Sequence, residues 1–371
     1  MPMCSYSRPG QTIPRERCRP GKAADAVRNP IALTVLTGFL GAGKTTLLNR
    51  LLKDPDLTDT AVVINEFGDV AIDHLLVENA TDGIVEIGGG CLCCTVRGEL
   101  TERLAALAER SQNLRRVVVE TSGLADPLPL LQPMMAHPEI SRLYRLEAVI
   151  TAVDAVNGLA TLKAYEEAQR QIAVADRIVI TKRDLAADNP ETVLVPRLAA
   201  INADAEIVDS RDHALNAAAL LRPLFAGRHG VKIPKQDARD LKHDHHHADY
   251  LSFTLKHEGP LPLAVVEGFL DLVASQQGER LLRIKGLVET VDDPGRPVLI
   301  QGAQRLLHPP ERLASWPEGA PRGTHLVLIG RDLDTHYVRR IFSAFLGQPL
   351  VDTPDRTALE ASPLAIPGFR F

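Results

Sequence analysis

Aromatic side chains make up only 4% of the 371 residues, with a single tryptophan, and neither sign of charge is in excess: 42 Lys+Arg stand against 47 Asp+Glu, a formal net charge of −5. A protein that grips nucleic acid or anionic lipid through its overall field needs a basic surface, and one that stacks bases needs an aromatic-basic stripe. Neither is present, so polyanion binding is a poor starting point. Also missing is any run approaching the roughly 18 uninterrupted apolar residues of a membrane span. The first thirty residues, rich in Pro and Arg, lack the apolar stretch of a secretory signal. The expectation is a soluble, cytoplasmic chain. Cysteine is sparse as well: five, an odd number, of which Cys91, Cys93 and Cys94 crowd into four positions. A disulfide framework would not be spaced like that, and the crowding points to metal or redox chemistry. What is plentiful is apolar material, 45% of the chain, enough to exclude disorder throughout and to fill about two domains at this length.

Residues 1–30 hold five prolines and no apolar periodicity, and are expected to form a mobile extension in which Cys4 and Cys18 are incidental. From Ile31 to about residue 226, short apolar runs alternate with helical patterns. The expected strands are Ile31–Thr37, Ala61–Asn65, Val117–Glu120, Ala148–Val153 and Arg177–Thr181, apolar on both faces as a covered parallel sheet requires. Leu47, Leu48, Leu51 and Leu52 repeat at helical spacing, as do Leu100, Leu104 and Leu107. The alternation predicts a doubly wound α/β domain, mostly parallel, with ligands at the carboxyl ends of its strands. Residues 227–249 lose the apolar pattern and read as a His-rich linker. From 250 to 350 the order changes to a strand (Tyr250–Lys256), a helix (Leu261–Ala274), strands at Leu281–Val291, Val298–Gln301 and His325–Ile329, and a helix at Thr335–Phe345. This predicts a smaller α+β domain, followed by a loosely attached tail over 351–371.

Directly after the first strand, Gly38-Phe39-Leu40-Gly41-Ala42-Gly43-Lys44-Thr45-Thr46 matches G-x-x-x-x-G-K-[ST], with a helix opening at its end. In this P-loop NTPase pattern Gly38, Gly41, Ala42, Gly43 and Thr46 curl around phosphate, Lys44 bridges the β- and γ-phosphates, and the Thr45 hydroxyl ligates Mg²⁺. A second phosphate-side group is expected from Arg116-Val117-Val118-Val119-Glu120-Thr121-Ser122-Gly123, where Glu120 emerges at the strand end and the Gly123 N–H can face the γ-phosphate. Lys44, Thr45 and Glu120 are thus the candidate catalytic set. Leu124 follows where a water-orienting Gln would serve, so unassisted hydrolysis should be slow. The bland alternative for Glu120 is a strand-end salt bridge. Base choice is read from Thr181-Lys182-Arg183-Asp184: a carboxylate at Asp184 can accept both N1–H and N2–H₂ of guanine, which adenine cannot match. GTP is favoured over ATP.

Gly88-Gly89-Gly90-Cys91-Leu92-Cys93-Cys94 follows a strand-like stretch at Gly83–Ile87. Cys91, Cys93 and Cys94 can converge on a soft cation, and three ligands leave a tetrahedral Zn²⁺ one open position. Redox chemistry is a weaker alternative, because neighbouring thiols make strained disulfides, and three inert buried thiols are another. Asn65-Glu66-Phe67-Gly68-Asp69 leaves the second strand where a switch loop would lie, so that Glu66 or Asp69 could sense Mg²⁺ or complete the zinc shell; surface solvation competes for either acid. His243, His245, His246 and His247 put four imidazoles within five residues, a tract suited to weak, adaptive metal capture or simply to a solvated linker.

The P-loop, the Asn65–Asp73 segment, the C-x-C-C loop, Glu120-Thr121-Ser122-Gly123-Leu124-Ala125-Asp126-Pro127 and Thr181–Asp184 occur in this order. The chain resembles the CobW-like metallochaperone GTPases, a branch of the P-loop GTPases. Arg283-Ile284-Lys285-Gly286, Val298-Leu299-Ile300-Gln301-Gly302 and Leu328-Ile329-Gly330-Arg331 extend the likeness into a CobW-type C-terminal domain. Two positions depart from the family pattern: Asp69 stands where Glu is frequent, and Thr181 replaces Asn. The resemblance implies a zinc chaperone that holds metal at the C-x-C-C loop with GTP and Mg²⁺ bound and hands it to a client metalloprotein on hydrolysis. Cobalt delivery in cobalamin synthesis or nitrile-enzyme activation, and a metal buffer that transfers nothing, are the alternatives. The expected partner is the client, with a homodimer left open.

Overall fold

The computed structural model describes residues 29–55, 57, 59–65, 84–87, 95–110, 113–186, 192–212, 216–221, 250–317 and 319–347. Among them, seven strands form one parallel sheet: β1 (Ile31–Gly38), β2 (Thr60–Asn65), β3 (Ile84–Ile87), β4 (Arg116–Thr121), β5 (Tyr144–Asp154), β6 (Arg177–Thr181) and β7 (Glu206–Asp209), in the order β3-β2-β4-β1-β5-β6-β7. Side chains alternate between faces along β1 and β4, and both faces are covered. Leu36 of β1 and Val118 of β4 pack with Leu47, Leu48 and Leu51 of α1 (Lys44–Leu52), joined by Leu220 of α8 (Ala217–Leu220). Leu33, Val35, Val117 and Val119 face the other way, against α2 (Thr95–Arg110), α3 (Leu128–Ala136) and α4 (Pro138–Leu143), with α5 (Gly158–Ala164), α6 (Glu166–Ala173) and α7 (Leu194–Ile201) continuing this layer. Sitting fourth, between β4 and β5, β1 delivers its carboxyl end to the point where the chain's connections diverge. Such a crevice is where doubly wound sheets bind ligands.

The second sheet is antiparallel, built from β8 (Tyr250–His257), β9 (Leu281–Val288), β10 (Val298–Ala303), β11 (Leu306–Leu307), β12 (Glu311–Arg312) and β13 (Thr324–Arg331). One face is covered by α9 (Leu263–Gln277) and α10 (Thr335–Phe345), with Phe269 and Phe342 meeting edge to face at 5.0 Å. On the opposite face Tyr250, Leu282, Ala303 and Ile329 belong to the same apolar core as Leu33 and Val35. The α/β sheet and the α+β sheet therefore share buried surface.

The fold class is the one read from the sequence, with local differences. The strand expected to reach Val291 stops at Val288, and the helix expected from Leu261 starts at Leu263. The helix starts late because Leu261 N–H donates to the Glu289 carbonyl (2.8 Å) and Val291 N–H to the Leu261 carbonyl (3.2 Å), a bridge that holds Leu261 extended. The strand ends because its partners Val298 of β10 and Thr324 of β13 are each the first residue of their strand. Strand β7 and the β10–β11 hairpin were not foreseen. Among the described residues no helix is long and apolar enough to cross a membrane.

Candidate nucleotide-binding site

The loop after β1 turns through Gly38, Gly41 and Gly43, whose φ angles are 140°, 70° and 84°. At Gly38 the need is steric as well, since a Cβ would lie 2.4 Å from the Ala152 carbonyl oxygen. Gly43 caps α1 in the left-handed region, so the helix N-terminus opens onto the loop with Lys44 as its first residue. Lys44 is buried, and its Nζ donates to the carbonyls of Gly38 (3.0 Å) and Phe39 (3.4 Å). The ammonium is thereby held within the loop's concavity. Ala42 is buried, Thr45 half-buried and Thr46 exposed.

Glu120, 1% exposed, is the penultimate residue of β4, one strand away from the loop. It accepts a 2.9 Å hydrogen bond from Thr45 Oγ1, so a buried carboxylate and a hydroxyl meet beside the start of α1. The next residue, Thr121, donates to Thr37 Oγ1 at 2.8 Å and locks the ends of β4 and β1 together. Gly123 follows in close contact with the loop: a Cβ there would sit 2.7 Å from the Leu40 backbone nitrogen. Leu124, beyond it, is 51% exposed.

On the other side of β1, Thr181 ends β6. Its Oγ1 is buried and donates to the Ala42 carbonyl at 2.7 Å, with the Val153 carbonyl at 3.2 Å. The hydroxyl therefore engages the phosphate loop. Lys182 adopts φ 53° and starts the short 3-10 turn Arg183–Leu185, which presents Asp184 to solvent at the sheet's carboxyl edge. Lys182 Nζ pairs with Asp154 Oδ2 at 2.9 Å. Burial opposes charge on Asp154, but Lys182 and the N–H groups of Val156 and Asn157 outweigh it and hold the carboxyl below the usual carboxylate range.

The sequence reading missed the wall beyond these strands. Asp154, Asn157, Thr161 and Gln171 line, with Phe39 and Leu40 of the P-loop and Lys182 of the expected Thr181–Asp184 segment, a cavity of about 250 Å³ between the P-loop and the α5–α6 pair. No residue pattern pointed to Asp154, Asn157, Thr161 or Gln171, because they come from segments separate from both motifs. Lys44, Thr45, Glu120, Gly123, Thr181, Lys182 and Asp184 are all brought to one edge of the sheet. Cys91, Cys93, Cys94, Glu66, Asp69 and the tract His243, His245, His246 and His247 lie outside the described residues, as do residues 1–28, 227–249 and 351–371. Among the described residues no three His, Cys, Asp or Glu side chains cluster as metal ligands would.

Residues 32–209 match the CobW/HypB/UreG nucleotide-binding domain, and residues 250–346 match the cobalamin synthesis protein cobW C-terminal domain. The chain belongs to the CobW family. Its relatives include the Escherichia coli (strain K12) zinc chaperone YjiA, 32% identical over 323 residues that cover 85% of this chain and 98% of that protein. The zinc chaperone CobW of a Sinorhizobium species is 30% identical over 362 residues, covering 87% and 99%. Among solved structures, the Zn(II)-bound YjiA GTPase from E. coli superposes with a TM-score of 0.61 at 30% identity, over 86% of this CobW-family chain and 99% of that one.

Proposed function

We propose that this CobW-family protein is a GTP-hydrolysing zinc metallochaperone, which takes up zinc at Cys91, Cys93 and Cys94 in its GTP form and passes it to a client metalloprotein on hydrolysis. The observation that carries the nucleotide half is the convergence of Lys44, the Thr45–Glu120 pair and the Thr181–Asp184 segment on one strand edge. Relatives named as zinc chaperones support the metal half, together with the C-x-C-C spacing.

Lys44 exchanges its loop carbonyls for the β- and γ-phosphates, and Asp184 accepts from guanine. Thr45 and Glu120 present hard oxygens, the donor type Mg²⁺ takes, and would hold that ion, which supplies charge neutralisation at the phosphates when bound. Exposed, apolar Leu124 aligns no water, so basal turnover is slow. Zinc is cargo. Glu66 or Asp69 joins the thiolates when the segment after Asn65 is ordered by the γ-phosphate, and the histidine tract serves as a secondary, adaptive site. Thiols that must stay free for metal place the protein in the reducing cytoplasm.

A zinc-chelator competition in the presence of GDP, GTP and a non-hydrolysable GTP analogue tests this reading. The analogue should tighten zinc binding, and by linkage zinc should tighten analogue binding by the same factor. Equal zinc affinity in all three states would leave a metal buffer instead of a chaperone. Unchanged affinity in Cys93→Ala would move the metal to the histidine tract. Repeating the titration with Co²⁺ separates the two cargo metals, since raw affinity does not set selectivity.

A further inference from the structure

Helix α6 meets the nucleotide site at both ends. At its N-cap Tyr165 lies against Phe39 of the P-loop, with ring centroids 4.6 Å apart. Near its C-terminus Gln171, 1% exposed, donates from Nε2 to the carbonyls of Gly123 (3.1 Å) and Ala125 (3.0 Å). Two carbonyl acceptors at once fix the amide orientation, because only the NH₂ end can face them. The backbone carbonyl of Gln171 accepts from Thr151 Oγ1 at 2.8 Å, which ties the same residue to β5. Its neighbour Arg170 donates to Asp126 Oδ2 at 3.0 Å, and Asp126 Oδ1 accepts the N–H of Leu128 as α3 begins. Glu166 holds the guanidinium from its other side. Positions 123, 125 and 126 of the loop after β4 are thus fastened to two adjacent residues of one helix.

We infer that Gln171 and Arg170 are positioning residues for the γ-phosphate, acting through the Ser122–Asp126 loop. The inference rests on the GTPase reading above. In a trans peptide the carbonyl and the following N–H point in opposite directions. With the Gly123 and Ala125 carbonyls both turned into α6, the Leu124 N–H points away from that helix, and neither carbonyl is left to repel an incoming anion. Gly123 is also packed on Leu40, so movement of this loop and of the P-loop is coupled sterically. GDP has no group at this position, so the tether matters for GTP alone.

The test measures GDP and non-hydrolysable GTP-analogue affinity, together with single-turnover hydrolysis, in the full chain and in Gln171→Glu, Gln171→Leu, Arg170→Ala and Arg170→Lys. Gln171→Glu replaces the donor with a carboxylate facing two carbonyls. Analogue affinity should fall roughly tenfold in the Gln171 variants and roughly threefold in Arg170→Ala, with a clearly smaller GDP loss in the Gln171 variants, whose side chain also lines the cavity beside the P-loop, GDP affinity within about twofold of the unmodified protein in Arg170→Ala, and Arg170→Lys recovering most of the loss. Equal losses for GDP and the analogue, or no loss, in variants with an unchanged melting temperature overturn the inference. Should the Gln171 variants fail to fold, the Arg170 pair decides by the same criterion, since that side chain is partly exposed. Failure of the unmodified protein to bind GTP sinks the GTPase reading itself; normal binding with unselective variants sinks only the role of α6.

Discussion

Thr181 ties the base-side strand to the phosphate loop through a single hydroxyl, donating to the Ala42 carbonyl at 2.7 Å. Thr181→Val keeps the shape and removes the donor. A stranded buried carbonyl costs about 1–3 kcal/mol, so the melting temperature should drop, and GTP and GDP affinities should weaken together because the loop holds phosphates common to both. A selective effect on one nucleotide would contradict this. Asp184 is different, exposed and facing outward from its turn. Asp184→Asn should leave stability unchanged, weaken GTP binding and favour xanthosine triphosphate, whose 2-oxo group accepts from an amide donor. Comparable affinity of the unmodified protein for ATP and GTP would remove Asp184 from base choice. Lys44→Ala should abolish turnover, because charge stabilisation dominates phosphoryl transfer. Hydrolysis persisting at the original rate, once a contaminating GTPase is excluded, would remove Lys44 from the chemistry.

Among the elements, β1, β4 and β6 announce themselves as continuous apolar runs because both their faces are buried, and Lys44–Leu52 announces itself by its leucine spacing. The P-loop and the Thr181–Asp184 turn were legible for a related reason: their chemistry sits in contiguous residues. Strand β5 hides its first half, since Arg145 and Glu147 interrupt the run and are accommodated by partners distant in sequence, Glu311 for one and Arg116 for the other. Strand β7 is four residues with acids at both ends, too short for any period to emerge. Gln171 and Asn202 carry no signature at all, because polar residues bonded to distant backbone look like surface residues in a string of letters. Asn202, at the end of α7, donates from Nδ2 to the carbonyls of Ile172 (2.9 Å), Ala173 (3.2 Å) and Ala175 (2.8 Å), while its Oδ1 accepts from Asp204 and Ala205. It closes the C-terminus of α6. Asn202→Ala would strand several of these groups and should cost about 3 kcal/mol, read as a lower urea midpoint; a cost below about 0.5 kcal/mol would mean water replaces the amide without loss.

For the whole molecule, the joint between the two sheets combines an apolar face with a buried charge cluster. Asp176, at the amino end of β6 and remote from the nucleotide edge, accepts from Lys285 Nζ (2.9 Å), Arg283 Nη2 (3.2 Å) and the Val149 N–H (2.7 Å). Its side chain and that of Arg283 are 3% and 2% exposed, so water screens this contact little. Asp176→Ala removes the buried carboxylate that Arg283 and Lys285 share and should cost about 3–5 kcal/mol. The exposed Arg305–Glu279 pair, cut the same way, should cost well under about 1 kcal/mol. Acid separates the two cases further. Burial alone would raise the Asp176 carboxyl, but Arg283, Lys285 and the Val149 N–H outweigh it and hold the group below its ordinary value. A depressed folded pKa means that the unfolded chain takes up the proton first, near pH 3.9. The stabilisation is therefore complete above that pH and lost as pH falls through the lower folded value. Urea unfolding at pH 7 and near pH 3 should show the gap between the unmodified protein and Asp176→Ala narrowing in acid, while the Glu279→Ala gap stays negligible at both. A gap that is constant between the two pH values would mean that Asp176 contributes shape and hydrogen bonding to the joint, and that its charge is not what holds the C-terminal sheet against β5 and β6.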